Sequence, residues 1–242
     1  MNGHGQFCPV AVACEVFAHR WTPLILRELF AGSTHFNEIR RGLPLISKSL
    51  LAQRLRALEA AGVVTCVNTT DRSYPEYRLT PAGAEFKPVI ESLGQWGQRW
   101  TIRFDPQNLD AELLMWNVRR RLAIDRLPEE RTVVRFDFSG LPSKYRRSHI
   151  FWLITERVAV DLCLKDPGSE VDLYVNADLG TFARIWLGDM PFSEAVQAGK
   201  IRLTGRRDLV RRFPSWLLLS HFAEVPRPIK TAASKLRAQP GA

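Results

Sequence analysis

Apolar residues recur every three or four positions through most of the first hundred residues, a spacing that covers one side of a helix. This spacing predicts helices in the segments PLILRELFAG, HFNEIRRGLP and SKSLLAQRLRALEAAG, and one more long helix from Thr80-Pro81 through FKPVIESLGQWGQRW. Thr22, Ser47 and Thr80 stand at the starts of three of these helices, where a hydroxyl accepts a hydrogen bond from the first turn. We therefore expect all three residues to be N-caps.

The third predicted helix has two chemically different sides. Leu51, Leu55 and Leu58 share one side of the helical wheel. Hydroxyl, amide and cationic groups, which contact base edges and phosphates, occupy the opposite side and its flanks: Lys48, Ser49, Gln53, Arg54 and Arg56. This side is predicted to bind DNA, and a solvated surface helix is the alternative.

The segments around this helix favour the DNA interpretation. A short helix, a tight turn and a longer helix with a polar outer side form a helix-turn-helix. The segments GVVTCVN and YPEYRLT predict two strands, with Arg72 near the tip of the turn between them and Arg78 on the returning strand. Both arginines are predicted DNA contacts of this wing. In the last helix, Val89, Leu93, Trp96 and Trp100 recur at helical spacing and predict a packing or dimer seam.

The second half of the chain changes to a period of two. Alternation in TVVRFDF, VAVDLCL, VDLYVNA and KIRLTG predicts strands with one covered face, and SHIFWLIT, which is apolar on both faces, is expected to be central. Helices are expected in DAELLMWNVRRRL from an Asp110 cap, in LGTFARIWL from an Asp178 cap and in EAVQA from a Ser193 cap. RDLVRRFPSWLLLSHF is also helical in character, with Pro214 bending or splitting it.

The fold class that follows is α+β in two domains. Residues 1–104 are predicted to be a winged helix-turn-helix domain for DNA binding and dimerisation. Residues 105–225 are predicted to form an antiparallel or mixed sheet with helices on one face, and residues 226–242 a flexible basic tail.

Charge alone does not locate a DNA site. The chain of 242 residues has a net charge of +9, of which residues 1–105 carry +3 and residues 106–242 carry +6. A basic protein is attracted to polyanions, but the larger share lies outside the predicted helix-turn-helix. No signal peptide or apolar run long enough to span a bilayer is recognised, so we expect a cytoplasmic protein without a membrane partner.

At this point the first half resembles the HxlR-type winged helix-turn-helix regulators of bacteria. The resemblance covers residues 8–100 and rests on Cys8-Pro9, RWTPLILREL, HFNEIRRGLP, ISKSLLAQRLRALEAAGVV and EYRLTPAG, in that order. It implies a homodimer that binds a pseudo-palindromic operator in double-stranded DNA, with two recognition helices in successive major grooves about 34 Å apart. Some family members use the position of Cys8 as a redox switch, and a partly buried structural thiol is the alternative.

The second half resembles the sterol carrier protein type two fold over residues 110–222. The resemblance rests on DLGTFARIWLGDMPFSEAVQAGKIRLTGRRDLV, in which glycines end a helix, a short helix and a strand. It implies an apolar tunnel between the sheet and the helices, and the candidate lining residues are Phe136, Phe138, Phe151, Phe182, Trp186, Phe192 and Trp216. The alternative is that these aromatic side chains fill the core. Three arginine pairs are candidates for a ligand head group: Arg146-Arg147, Arg206-Arg207 and Arg211-Arg212.

Together these patterns predict a dimeric repressor that responds to an apolar small molecule. The main alternative is a lipid carrier that uses its winged helix only for dimerisation, and a third interpretation is an acyl-modifying enzyme. No catalytic motif supports an enzyme, and no cofactor is expected. His4, Cys8, Cys14 and His19 do not have the spacing of a common metal site, so no metal is expected.

Overall fold

The N-terminal part of the chain is mainly helical. A computed structural model describes residues 4–68, 74–101, 105–142, 149–156 and 159–227. The helices of this part are α1 (Pro9–Phe17), α2 (Thr22–Phe30), α3 (Phe36–Arg41), α4 (Lys48–Ala60), α5 (Pro81–Ala84) and α6 (Lys87–Trp96). Strands β1 (Val64–Val67) and β2 (Glu76–Leu79) pair antiparallel and form the predicted wing.

Local hydrogen bonds explain where two of these helices begin. The hydroxyl of Ser47 accepts a hydrogen bond from the backbone N–H of Leu50 at 3.2 Å and starts α4. The hydroxyl of Thr80 accepts one from the N–H of Gly83 at 3.0 Å and starts α5. The predicted cap at Thr22 is wrong. Trp21 occupies that position in a left-handed conformation with φ 81°, and Thr22 is the first helical residue and is buried.

The long helix predicted after Thr80 is interrupted. It consists of α5 and α6, and the residues between them form a turn. Pro88 explains the break. Proline has no backbone N–H to donate to the carbonyl four residues earlier, so it fits the first turn of α6 but not the interior of a continuous helix. A π-helical turn at Gly97–Thr101 continues α6.

In the described part of the C-terminal half, five strands form one mixed sheet. They are β3 (Thr132–Ser139), β4 (Ile150–Glu156), β5 (Ala159–Cys163), β6 (Leu173–Asp178) and β7 (Ile201–Gly205). Their order across the sheet is β5-β4-β3-β6-β7, and β3 and β6 are the parallel neighbours. The five predicted strands are therefore confirmed. The central strand is β3 rather than the expected SHIFWLIT segment, which forms β4 beside it.

Helices cover one face of this sheet. They are α7 (Ala111–Arg119), α8 (Leu179–Trp186), α9 (Phe192–Gln197) and α10 (Arg207–Arg212). Asp110 and Asp178 cap α7 and α8 as predicted, accepting hydrogen bonds of 3.1 and 2.8 Å from the N–H groups of Leu113 and Thr181. The predicted Ser193 cap is wrong, because α9 begins two residues earlier than that cap implies, at Phe192, and Pro191 occupies the cap position.

Pro214 splits the last predicted helix. After α10 the chain tightens into a 3-10 turn at Phe213–Trp216, where proline fits in the first turn. Helical structure then ends, and Leu217 forms a bridge with Leu122. The expected LLLSHF extension of the helix is therefore wrong.

Two hydrophobic clusters without a common residue support the two parts. The first joins α2, α3, α4 and β1 and is centred on completely buried side chains such as Ile25, Ile39 and Leu51. The second joins the sheet to α7, α8 and the 3-10 turn. The predicted boundary at residues 104 and 105 lies between the two clusters and stays a prediction. The predicted tail lies outside the described residues from position 228 onward.

Candidate nucleic-acid interface and aromatic core

The outer side of α4 is free of the protein's own core. Leu51, Leu55 and Leu58 are at most 2% exposed and anchor the helix to α2 and α3. Four of the predicted DNA-contacting residues lie exposed away from that core: Lys48, Ser49, Gln53 and Arg56. This arrangement leaves hydroxyl, amide and cationic groups together on an accessible helix surface.

Short-range contacts hold part of this surface in place. The hydroxyls of Ser49 and Ser47 lie 3.2 Å apart. The Nε of Arg56 donates to the carbonyl of Ala52 at 3.4 Å, one turn back along the helix. Arg54 differs from the others because it is half-buried, and its Nε is shielded from solvent without a hydrogen-bond partner.

On the wing, Arg78 is already engaged. Its Nε and Nη2 donate to a carboxylate oxygen of Glu76, at 3.1 and 2.7 Å. A phosphate at this position would have to compete with that carboxylate, so Arg78 is a weaker candidate than the exposed groups of α4. Arg72 lies outside the described residues.

A buried ion pair behind the helix-turn-helix was missed by sequence reasoning. Glu28 of α2 is completely buried, and Arg27 donates to its Oε1 at 2.7 Å. Arg120, at the C-terminal end of α7, donates to its Oε2 at 2.8 Å and to the hydroxyl of Ser33 at 3.3 Å. The C-terminal part is thereby joined to the helix that packs behind α3 and α4. The sequence did contain a signal that Glu28 is buried, since Glu28 lies on the same side of the helical wheel as Ile25 and Leu29.

A second contact joins the two parts at α6. Gln98, in the π-helical turn, is 3% exposed and donates to the carbonyl of Leu187 at 3.4 Å. Phe222 packs against Gly94 so closely that a side chain at Gly94 would overlap its ring. The C-terminal part therefore contacts both α2, which packs behind the helix-turn-helix, and α6.

The predicted tunnel residues lie between the sheet and the helices. Trp186 and Phe192 are partly buried, and the others are buried: Phe136, Phe138, Phe151, Phe182 and Trp216. The rings contact one another, with centroids 5.9 Å apart for Phe136 and Phe182 and 5.4 Å apart for Phe138 and Phe182. A guest molecule in this layer would have to separate rings that are in contact.

The candidate head-group arginines are partly committed to other partners. Arg206 donates to Glu130 and to Asp208, each at 2.9 Å. These bonds lower the pKa of both carboxyl groups, chiefly through the hydrogen bonds from Arg206. Arg212 donates to the carbonyl of Arg126 at 3.1 Å. Arg146 and Arg147 lie outside the described residues.

Cys8 is exposed at the start of α1. Its thiol pKa is lowered by hydrogen bonds from the backbone N–H groups of Ala11 and Val10. The cause is thus the N-terminus of α1. A lowered pKa increases the reactive thiolate fraction at neutral pH.

The described ranges hold neither a metal cluster nor a membrane span. Among these residues, no group of three or more His, Cys, Asp or Glu side chains is placed to hold a metal ion. No helix there has the length and apolar character needed to span a bilayer.

The fold and the geometry of α4 define a winged helix-turn-helix protein. Residues 16–105 match the HxlR-like helix-turn-helix family. The HTH-type transcriptional regulator YvaP of Bacillus subtilis is 35% identical over 109 residues, covering 43% of this chain and 96% of that relative. The chain belongs to this family. The regulator Mb3122 of Mycobacterium bovis is 40% identical over 95 residues, covering 39% of this chain and 60% of that relative.

Among solved structures, the redox regulator HypR in its oxidized form is 32% identical. The similarity covers 38% of this chain and 95% of HypR, with a TM-score of 0.36. The family match ends at residue 105, so it does not include the five-stranded sheet.

Proposed function

We propose that the protein is a homodimeric transcriptional repressor that binds its operator through α4 and senses an apolar small molecule through its C-terminal part. The observation that carries the proposal is the exposure of Ser49, Gln53 and Arg56 opposite the leucines that anchor α4. Membership of a helix-turn-helix family supports DNA as the partner.

In the proposed complex, α4 enters the major groove. Gln53 and Arg56 are exposed one turn apart on the same side of the helix, where an amide can bind adenine and a guanidinium can bind guanine. Lys48 and Ser49 are placed at the helix N-terminus, where backbone N–H groups and the helix dipole favour a phosphate. Phosphate contacts set the orientation, and the base contacts provide specificity.

A second copy of the chain is the proposed occupant of the apolar stripe on α6. Val89, Leu93, Trp96 and Trp100 are 42–61% exposed along one side of α6 and its π-helical turn. Phe7 and Val10, at the start of α1, are exposed as well. Contiguous apolar surface of this kind marks an interface. A two-fold dimer would present two α4 helices to successive major grooves.

The proposed effector site is the aromatic layer between the sheet and the helices. Its apolar character suits a lipid-like or polycyclic ligand. Because the rings are in contact, binding would require Phe182 or Trp186 on α8 to move. The carbonyl at Leu187, next to Trp186, is the one that accepts from Gln98, so movement of α8 would reach the helix that carries the proposed dimer interface.

The test of DNA binding begins with operator selection. Genomic fragments retained by the purified protein are sequenced, and the enriched duplex is used in gel shifts at moderate salt. Gln53→Ala and Arg56→Ala are each expected to weaken binding by about 1–3 kcal/mol and to relax specificity. The matched controls Gln197→Ala and Arg202→Ala, exposed on the C-terminal part, are expected to bind as the parent does. If no fragment is retained specifically, the carrier interpretation is favoured instead.

Two further measurements test the remaining elements. Transcription from a reporter under the selected operator should rise when the protein is absent, and a fall would indicate an activator. Native mass spectrometry of the purified chain should detect a bound lipid or other apolar molecule. A chain that carries no such molecule and takes up none from a lipid extract would contradict the effector proposal.

A further inference from the structure

The turn between α3 and α4 exposes a leucine side chain. Leu43 and Ile46 are buried in the first hydrophobic cluster, at 2% and 4% exposed, and the N–H of Ile46 donates to the carbonyl of Leu43 at 3.0 Å. Leu45 lies between these two anchored residues and is 71% exposed. Its side chain therefore faces away from the core that holds the turn.

Leu45 is unusual within the helix-turn-helix. Among residues 36–60, all of which the structure describes, the other leucine, isoleucine and phenylalanine side chains are buried or half-buried. A single exposed leucine is common on protein surfaces and by itself indicates no function. The position of Leu45, next to the polar surface of α4, is what gives its exposure a meaning.

Leu45 lies beside the N-terminus of α4. It precedes the N-cap residue Ser47 by two positions, so the Cα atoms of these two residues are at most about 7 Å apart. Lys48 and Ser49 follow in the first turn of α4, and both are exposed. A duplex that approaches the N-terminal end of α4 would therefore approach the side chain of Leu45 as well.

The turn holds the backbone of Leu45 in place before a partner binds. Pro44 occupies the second position of the turn, where its ring fixes φ, and the hydrogen bond from Ile46 to Leu43 closes the turn. A contact made by Leu45 thus requires little further loss of backbone freedom. Preorganisation of this kind favours binding.

The chemistry of the major groove offers a partner for a leucine. Of the groups that the four bases present there, the C5-methyl group of thymine is the apolar one. A contact between this methyl group and Leu45 removes apolar surface of both from water, which is favourable. A phosphate against the same side chain would lose water without gaining a hydrogen bond. Thymine therefore fits Leu45, whereas a phosphate fits the neighbouring Lys48.

We propose that Leu45 is a specificity-determining residue that contacts the C5-methyl group of a thymine in each half-site of the operator. This inference rests on the proposed function, because it requires α4 to bind in the major groove. The turn then reads one base in addition to those contacted by Gln53 and Arg56. Cytosine has a hydrogen atom in place of the methyl group, so thymine is preferred over cytosine at this position.

The test uses the full-length chain and the operator selected from genomic fragments. Each thymine is replaced in turn, in both half-sites, by deoxyuridine, which lacks the methyl group and still pairs with adenine. At one thymine position this change should weaken binding by the parent about fourfold per half-site, the effect of exposing one buried methyl group, and about sixteenfold in total. Leu45→Ala should bind the thymine operator more weakly and should not distinguish thymine from deoxyuridine at that position.

Leu218→Ala is the matched control, because Leu218 is also an exposed leucine, at 38%, but lies in the C-terminal part. This variant should retain the deoxyuridine pattern of the parent. The same pattern in Leu45→Ala would overturn the proposal. Equal weakening of Leu45→Ala on every duplex would also overturn it, since that result indicates contact with the DNA backbone.

Sedimentation equilibrium excludes an indirect effect. Leu45→Ala should have the same mass as the parent, and a shift to monomers would place Leu45 in the dimer interface and overturn the thymine contact. The outcome for the proposed function is separate. A parent chain that retains no duplex specifically contradicts both proposals, whereas specific binding with identical deoxyuridine patterns in parent and Leu45→Ala contradicts the thymine contact alone.

Discussion

Nη1 of Arg120 lies 2.8 Å from Oε2 of Glu28, across 92 positions of sequence, and the carboxylate is completely buried. Replacing Arg120 by Met would leave Arg27 as the one ionic partner of that charge among the described residues. We expect Arg120→Met to lower the free energy of unfolding by about 3 kcal/mol, because an incompletely paired buried charge is strongly unfavourable. Urea denaturation followed by circular dichroism measures the change.

The matched control is the double variant Glu28→Gln with Arg120→Met. Removing both charges should recover a large part of the loss, since no buried charge is left without its partner. The single variant Glu28→Gln is measured as well. If the loss of unfolding free energy in the double variant equals the sum of the losses in the two single variants, Glu28 and Arg120 do not act as a pair.

Gly42 provides an independent test of the same cluster. A methyl group at this position would overlap the carboxylate of Glu28, while the carbonyl of Gly42 accepts from Arg27 at 2.9 Å. We expect Gly42→Ala to destabilise the protein by about 1–3 kcal/mol, because Glu28 must leave its position between two arginines. Thermal unfolding provides the measurement. Ala57→Gly, at an exposed position in α4, is the control and gives the cost of an ordinary Ala/Gly exchange.

The two cysteines with shifted pKa values should differ in their pH dependence. The pKa of Cys8 is lowered by backbone N–H groups, so its thiolate forms at a lower pH than in an ordinary cysteine. The pKa of Cys66 is raised by burial and then by Glu59, so its thiolate forms at a higher pH. Alkylation by iodoacetamide, measured per site by mass spectrometry between pH 6 and about 9.5, should reach its half-maximal rate first at Cys8. The reverse order would contradict both assignments.

Lys48 should govern the salt dependence of operator binding. It is exposed at the first position of α4, where a phosphate would approach the helix N-terminus. In a dimer, Lys48→Ala removes two phosphate contacts, so the slope of log K against log salt should decrease in magnitude by about two. Lys87→Ala, at the first position of α6 and also exposed, is the control and should leave the slope unchanged.

The apolar stripe on α6 should determine the oligomeric state. Leu93 lies in the middle of the stripe and is 47% exposed. Leu93→Lys places a charge where a second copy is proposed to pack, and we expect it to produce monomers with much weaker operator binding. Sedimentation equilibrium of the parent, of Leu93→Lys and of the exposed control Val196→Lys distinguishes this outcome. A parent chain that is already monomeric at micromolar concentration would contradict the proposed dimer.

The sequence was sufficient where local chemistry determines structure. Ser47 with the leucines of α4, and the alternating strands of the C-terminal half, were predicted because capping and periodicity act over a few residues. The predictions of Thr22 and Ser193 as caps were wrong, because Trp21 and Pro191 occupy the N-cap positions of α2 and α9. The types of the neighbouring residues do not reveal this shift.

Contacts between distant segments could not be predicted in the same way. Arg120 follows a run that looks like an ordinary solvated helix end, and only the folded chain brings it to Glu28. Trp116 likewise fits a core position on a helical wheel, and the convergence of three arginines on its ring depends on how α3 and α7 meet. The aromatic layer was anticipated as a group of residues that either line a tunnel or fill the core, and periodicity alone did not distinguish the two arrangements.

The close packing of Phe222 on Gly94 has a consequence for engineering. A fragment of the first 105 residues, produced alone as a DNA-binding domain, would lose the packing of Phe222 on α6. Gln98 would lose its acceptor, the carbonyl of Leu187, and Glu28 would lose its ion pair with Arg120. Fusing this fragment to another sensor domain would therefore require redesign at Gly94, Gln98 and Glu28, because the partners of all three lie in the C-terminal part.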